Sequence, residues 1–297
     1  MTSRNPRALL QRLLHCFLAT SIALLSLSAV AREPLPVRLM TYNIRLDLAS
    51  DGANAWPHRR DWVAAQILWL HPDIFGMQEV LPNQKSDLIG ALPGYRILGG
   101  GCDDGKEKGE ASPIGFDPKR FDLLDNGLFW LSPTPAVPSK GWDAAYNRVA
   151  TWTRLRVHGT RHVLLAVNTH WDHVGTIARQ ESALQIARWI ESNAKRCEQV
   201  MLFGDFNSGI DEEPLRSIRT SLGLRDARAL SKSAPFGPAN TFNGFEPAPA
   251  EARVIDHFLL GPRLEVDRYL VLSQVIDGRW PSDHFPVLID TTIPECH

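Results

Sequence analysis

Cysteine is scarce in this chain, four residues in 297, and none of them forms a CxxC pair. That excludes a thiolate zinc finger and a disulfide-dense scaffold. The HExxH pattern of zinc hydrolases is missing as well. Neither charge sign dominates: 32 basic residues face 33 acidic ones, without a long run of either. No basic stripe is available for tight, sequence-independent nucleic-acid binding. There is no low-complexity tract, no internal repeat and no linker long enough to separate a pair of domains. The apolar run Leu13–Leu27 is too short to span a membrane.

That run does fit a secretory signal peptide. Arg4, Arg7 and Arg12 precede it, and Ser28-Ala29-Val30-Ala31 follows with small residues where a signal peptidase cuts. We therefore expect a signal peptide over 1–31 and one domain over 32–297, secreted or periplasmic. Cleavage would remove three arginines and no acid, leaving 29 basic against 33 acidic residues, a net charge of −4. Cys102, Cys197 and Cys296 would remain, allowing at most one internal disulfide and leaving at least one free thiol.

Short apolar strands alternate with amphipathic helices along the rest of the chain. Strands are expected over Val37–Ile44, Asp73–Val80, Pro113–Phe116, Phe121–Leu131, Val149–Val157, Val163–Thr169 and Gln199–Asp205, then Ala252–Leu260, Leu264–Leu272 and Phe285–Asp290. Helices are expected over His58–Leu70, Ile177–Ser192 and Glu212–Leu222, with another ending over Asp87–Leu92. The run Gly99–Gly109 reads as an exposed, mobile loop. This pattern predicts an α/β (α+β) fold, a four-layer αββα sandwich of two mixed sheets flanked by helices.

Polar residues at the ends of apolar strands carry the chemistry. Burying a carboxylate or an amide is costly unless it is paired or metal-bound, so such residues mark a site. They are Asn43, Glu79, His170, Asp205 with Asn207, Asp256, and Asp283 with His284. Singly, each reads as a cap, a turn residue or a core histidine. Most of the nine tryptophans read as packing, with Trp142, Trp171 and Trp280 near motifs or in loops. His170 and His173 resemble a zinc pair, but the surrounding oxygen donors favour magnesium or manganese.

Taken together, Met40-Thr41-Tyr42-Asn43-Ile44, Gln78-Glu79-Val80, Asn168-Thr169-His170, Gly204-Asp205-Phe206-Asn207, Ile255-Asp256 and Ser282-Asp283-His284 resemble the endonuclease/exonuclease/phosphatase superfamily from Arg38 to about Asp290. The resemblance implies a Mg2+ (or Mn2+) ion on Glu79 and Asn43, with Asp283 joining the shell. It implies Asp205 as the base that activates water, and Asn207 as a holder of a phosphate oxygen. His170 and His284 would stabilise the phosphate, with Asp256 orienting His284. Two further matches imply Glu110 paired with His170, and Arg148 as a phosphate-binding arginine. The reaction implied is in-line attack of water on a phosphate ester of a small molecule, a lipid head group or a nucleic acid. A monomer without a stable protein partner is expected. The chain departs from its relatives at Cys102, Gly115 and His257, positions that bear on substrate contacts rather than on this set.

Overall fold

Strand β1 (Leu35–Asn43) shows how the layers arise. Successive side chains of a strand point to opposite faces. Val37 and Leu39 enter one apolar cluster while Met40 and Tyr42 enter another, so this strand must lie between two other layers. The computed structural model describes residues 35–246 and 253–294. The expected signal peptide and Cys296 lie outside the described residues.

Two short 3-10 segments, Ala49–Asn54 and Trp56–His58, lead from β1 to α1 (Arg60–Leu70) and β2 (Ile74–Gln78). There follow α2 (Pro82–Ala91), β3 (Arg96–Leu98), β4 (Ile114–Phe116), β5 (Phe121–Trp130), β6 (Val149–Val157) and β7 (Val163–His170). The chain continues through α3 (Thr176–Asn193), β8 (Gln199–Asp205), α4 (Glu213–Leu222), β9 (Arg225–Asp226) and α5 (Ala227–Leu230). It ends with β10 (Asp256–Leu260), β11 (Glu265–Val271) and β12 (Val287–Ile293). Two six-stranded sheets result, ordered β11-β12-β1-β2-β4-β3 and β5-β6-β7-β8-β10-β9. In each, the central pair is parallel, β1 with β2 and β7 with β8, and the flanking pairs are antiparallel. A parallel pair needs a long crossover; α1 and α3 supply them.

One core, with Leu39, Phe203, Phe258 and Ile289, fills the space between the sheets. A second packs α3 and α4 on one sheet through Val167, Ile186 and Ile218. A third packs α1 and α2 on the other through Phe75, Ile67 and Leu88. The fold is the expected four-layer sandwich of two mixed sheets. At Gly76 the sheets come so close that a Cβ would stand 2.4 Å from Phe203 Cε2 and 2.6 Å from Asn168 Cγ. Asn168 bridges the gap there: Nδ2 donates to Met77 O (2.8 Å) and Pro113 O (2.9 Å), and Oδ1 accepts from Gln78 Nε2 (2.7 Å).

The Gly-rich run is a loop, exposed at Asp103, Lys106, Glu107 and Lys108 as expected. It also folds on itself through Gly101 N to Lys106 O (3.0 Å), Cys102 N to Glu110 O (2.9 Å) and Asp103 N to Lys108 O (3.0 Å), burying Gly101 and Cys102. A side chain at Gly100 or Gly101 would collide with backbone oxygens of Gly105 or Lys108 at 2.1 Å. The glycines permit close packing there, and Cys102 is buried with a free thiol. The short strands β3 and β9 have too few residues for their alternation to be read in advance.

Candidate active site

Along the inter-sheet face, every central strand changes from apolar to polar at the same end. β1 runs Leu39, Thr41, Asn43, and β2 runs Ile74, Gly76, Gln78 before Glu79. β7 runs Ala166, Asn168, His170, and β8 runs Met201, Phe203, Asp205. β10 is antiparallel to β8, so its polar residue comes first, and Asp256 lies opposite Asp205. His170 lies opposite Asp205 on the other side. The segment before β12 adds Asp283 and His284, and those before β4 and β6 add Glu110 and Arg148. All the sequence-predicted residues meet at one cleft of about 450 Å³. Asn43 and Asp256 are buried behind its lining.

A row of three groups forms the floor. Asp256 Oδ2 lies 2.9 Å from His284 Nδ1, and His284 Nε2 lies 3.7 Å from Asp205 Oδ2. Burial opposes a charged His284 ring, but Asp256 and Asp205 outweigh it and raise its pKa to about 10. Asp205 is pushed up to about 7, by burial first and by Asp256 second. Its Oδ1 accepts from Asn207 N (2.9 Å) and its Oδ2 from Asn43 Nδ2 (2.9 Å). His170 faces the same carboxylate, Nε2 to Oδ2 at 3.5 Å.

The two histidines are held in different states. Arg148 Nη1 lies 2.9 Å from His170 Nδ1. A guanidinium only donates, so Nδ1 accepts and the ring proton sits on Nε2, toward the cleft. Burial and the Arg148 charge hold His170 well below its ordinary pKa, as a neutral ring. Glu110 Oε2 stays 3.9 Å from that Nδ1 and 3.5 Å from Arg148 Nη1, so the expected pair with His170 is mediated by Arg148. Arg148 also reaches Asp172 (3.5 Å) and His173 Nδ1 (3.3 Å), so it is anchored on several sides. Asn207 Nδ2 lies 3.2 Å from His170 Nε2 and donates to Trp171 O at 3.0 Å.

The profile of the Endonuclease/Exonuclease/phosphatase family matches residues 40–284, the span that carries every one of these groups. The chain belongs to this family. A crystal structure of a family member from Bacteroides thetaiotaomicron is 34% identical, covers 89% of this chain and all of its own, and superposes with a TM-score of 0.84. A mannosyl-6-phosphatase from the same organism is 36% identical, with 86% and 99% coverage and a TM-score of 0.80. Among curated proteins, an uncharacterized protein of Acanthamoeba polyphaga mimivirus is 25% identical over 160 residues; this chain spans 59% of that protein's length.

Members of the endonuclease/exonuclease/phosphatase family are phosphoester hydrolases that typically depend on a divalent metal, and the cleft suits a hard cation. Glu79, Glu110, Asp205 and Asp283 crowd it with carboxylates. Glu110 is pushed up to about 7 and Asp283 to about 6, in each case by burial first, with Glu79 adding repulsion. Asn43 Oδ1 accepts from Arg45 N (3.0 Å), and its Nδ2 donates to Glu79 Oε1 (2.9 Å), so in this orientation it links Glu79 to Asp205. Asp205, Asp256 and His284 also bring ligand atoms within 4.8 Å of one another. Within that group His284 Nδ1 is paired with Asp256 Oδ2 at 2.9 Å, and its Nε2 faces Asp205 Oδ2 at 3.7 Å.

Residues that sequence reasoning missed brace the site. The buried Arg59 donates to the carbonyls of Ile44, Arg45, Asn54 and Pro281, tying the exit of β1 to the segment that carries His284. Thr241 Oγ1 accepts from Ile255 N and Asp256 N, and Ser282 Oγ donates to Asn43 O. Arg45, Glu79 and Asn207 all have positive φ (57°, 62° and 47°). Such backbone costs about 1–3 kcal/mol each, and it persists only where the surroundings enforce it. Trp171 and Trp280 pack edge-on against Phe206 and Phe285 and belong to the core or its margin.

Proposed function

We propose that the protein is an exported, divalent-metal-dependent phosphoric ester hydrolase acting on a small phosphate ester. The observation that carries this reading is Asp205. One buried carboxylate on the cleft floor faces Nε2 of both His170 (3.5 Å) and His284 (3.7 Å). A bound Mg2+ or Mn2+ on Glu79, with Asp283 and the Asn43 amide beside it, would neutralise phosphate charge. Asp205 takes a proton from water as its oxygen attacks phosphorus, and the P–O bond to the leaving oxygen breaks opposite. That oxygen departs as an alkoxide and takes a proton from solvent, while Asp205 returns its own to solvent. The His284 cation, the His170 N–H and the Asn207 amide stabilise the charge that grows on the phosphoryl oxygens.

Cleft size and charge favour a small ester over a polynucleotide. A volume of about 450 Å³ suits a single small molecule, and the processed chain would be mildly acidic. The similar mannosyl-6-phosphatase points the same way. Export rests on the signal-like N-terminus, and the disulfide at Cys197 suits an oxidising compartment. Hydrolysis of p-nitrophenyl phosphate and bis-p-nitrophenyl phosphate, each with Mg2+, Mn2+ or EDTA, tests the reading. Metal-dependent turnover abolished by EDTA is expected; turnover indifferent to EDTA would overturn the metal assignment.

A further inference from the structure

Three arginines line the cleft, Arg45, Arg148 and Arg253. The flat fork of a guanidinium suits a phosphate group, so the donors each arginine leaves open decide how a substrate is held. Arg148 leaves few. Its Nη1 lies 2.9 Å from His170 Nδ1, its Nη2 3.3 Å from His173 Nδ1, and its Nε faces the buried Asp172 at 3.5 Å. All three nitrogens are turned to protein partners. Arg253 is exposed, with its guanidinium 5.6 Å from the centre of the Phe242 ring. A long exposed side chain gives up much rotamer freedom when it binds.

Arg45 is both open and fixed. Its Nε donates to Asp51 Oδ2 (2.9 Å) and its Nη2 to Asp51 Oδ1 (3.0 Å), a two-point grip on one edge of the fork. Nη1 stands 3.7 Å from Asp283 Oδ2, beyond hydrogen-bond length, and makes no hydrogen bond among the described residues. The backbone is held as firmly. Arg45 N donates to Asn43 Oδ1 (3.0 Å), and Arg45 O accepts from Arg59 Nη2 (2.6 Å) and Gln84 Nε2 (2.8 Å). Leu46 N donates to Glu79 Oε2 (3.0 Å), which ties the same turn to an acid of the cleft. The left-handed φ of 57° at Arg45 is thus enforced from several sides. A guanidinium fixed in advance loses less entropy when an anion arrives.

Building on the hydrolase reading above, we propose that Arg45 binds the phosphoryl oxygens of the substrate, the role that the family resemblance gives to Arg148. Arg148 instead holds the two histidine rings. The Nη1 N–H groups of Arg45 meet a phosphate before and after cleavage alike, so the contact lowers KM more than it raises kcat. It makes no demand on the alcohol part of the ester.

The test measures kcat and KM for p-nitrophenyl phosphate, the Ki of inorganic phosphate, and Mg2+ binding by calorimetry. It uses the wild type, Arg45→Gln and Arg45→Lys. Arg45→Gln should raise KM and the phosphate Ki together, by about ten- to a hundredfold. Its kcat should stay within about threefold of wild type. Arg45→Lys keeps the charge without the fork and should fall between the two on both constants. If Arg45→Gln does not fold and bind Mg2+, the same rise is read from Arg45→Lys against the wild type. An unchanged phosphate Ki with tighter Mg2+ binding would mean that Arg45 merely offsets Asp283, and would overturn the proposal. A fall in kcat with KM and Ki unchanged would overturn it too, as would a lysine variant no better than the glutamine one. Wild-type protein that turns over no ester with any divalent metal would overturn the hydrolase reading instead.

Discussion

Replacing Asp256 with Asn keeps the shape of the row Asp256–His284–Asp205 and removes one charge. Asp256 Oδ2 lies 2.9 Å from His284 Nδ1, which places the charge centres roughly 4 Å apart. At the effective dielectric that describes most protein sites, that pair is worth about 4 kcal/mol, or about three pH units in the ring's titration. The His284 pKa should therefore fall from about 10 to near neutrality. Asp205 loses the repulsion of Asp256 but also the attraction of a charged ring, two opposing changes that offset to first order. The wild-type pH profile should rise through about 7, as Asp205 ionises, and fall through about 10, as His284 loses its proton. In the variant the basic limb collapses toward the acidic one, and only about a third of the molecules hold both correct states at the optimum. An Asn amide that donates to Nδ1 would also favour the wrong tautomer, taking the loss in kcat toward about 10³–10⁴. Profiles of kcat from pH 5 to 11, with an NMR titration of His284, check this. A basic limb that stays near pH 10 in the variant would refute the reasoning.

Asp205→Asn should abolish turnover yet raise stability in EDTA. The folded-state pKa of Asp205 is raised to about 7 from its ordinary 3.8, so wild type loses stability as pH climbs between those values. The melting temperatures should coincide near pH 4 and diverge by a few degrees at pH 8; a gap independent of pH would contradict this. Arg148→Gln frees His170 to change tautomer, and kcat should fall about ten- to a hundredfold with little change in KM. A rise in KM with kcat preserved would make Arg148 a phosphate clamp instead. Arg59→Ala strands several buried carbonyls and should cost about 3 kcal/mol or more in urea unfolding; a loss below about 1 kcal/mol would contradict the bracing role.

Much of this was legible in the chain because two periodicities coincide in it. Leu39-Thr41-Asn43 and Met201-Phe203-Asp205 show the inward face of a strand turning polar at its last residue, and a local reading finds that. The apolar spacing of α1 and α3 was equally legible as helix, though not the parallel pairs these helices connect. What stayed hidden depends on contacts between distant segments. Arg59 looks like any surface arginine at a helix start, yet four of its five backbone partners belong to the β1 exit and to Asn54, and the fifth lies 222 residues away. Asn168 bonds Gln78 and the carbonyls of Met77 and Pro113 across the sheets, so its role appears only once the sheets are stacked. The internal hydrogen bonds of the loop Gly99–Gly109 stayed hidden because glycine serves both open loops and very tight ones, and composition alone does not separate the two.

The most direct test of the central claim pairs turnover with metal binding in Asp205→Ala. Calorimetric titration with Mg2+ and hydrolysis of the preferred small phosphate ester would be measured on the variant and the wild type under the same conditions. The account predicts that the variant still folds and binds Mg2+ while kcat drops by several orders of magnitude. A variant that binds the metal and keeps wild-type turnover would contradict it.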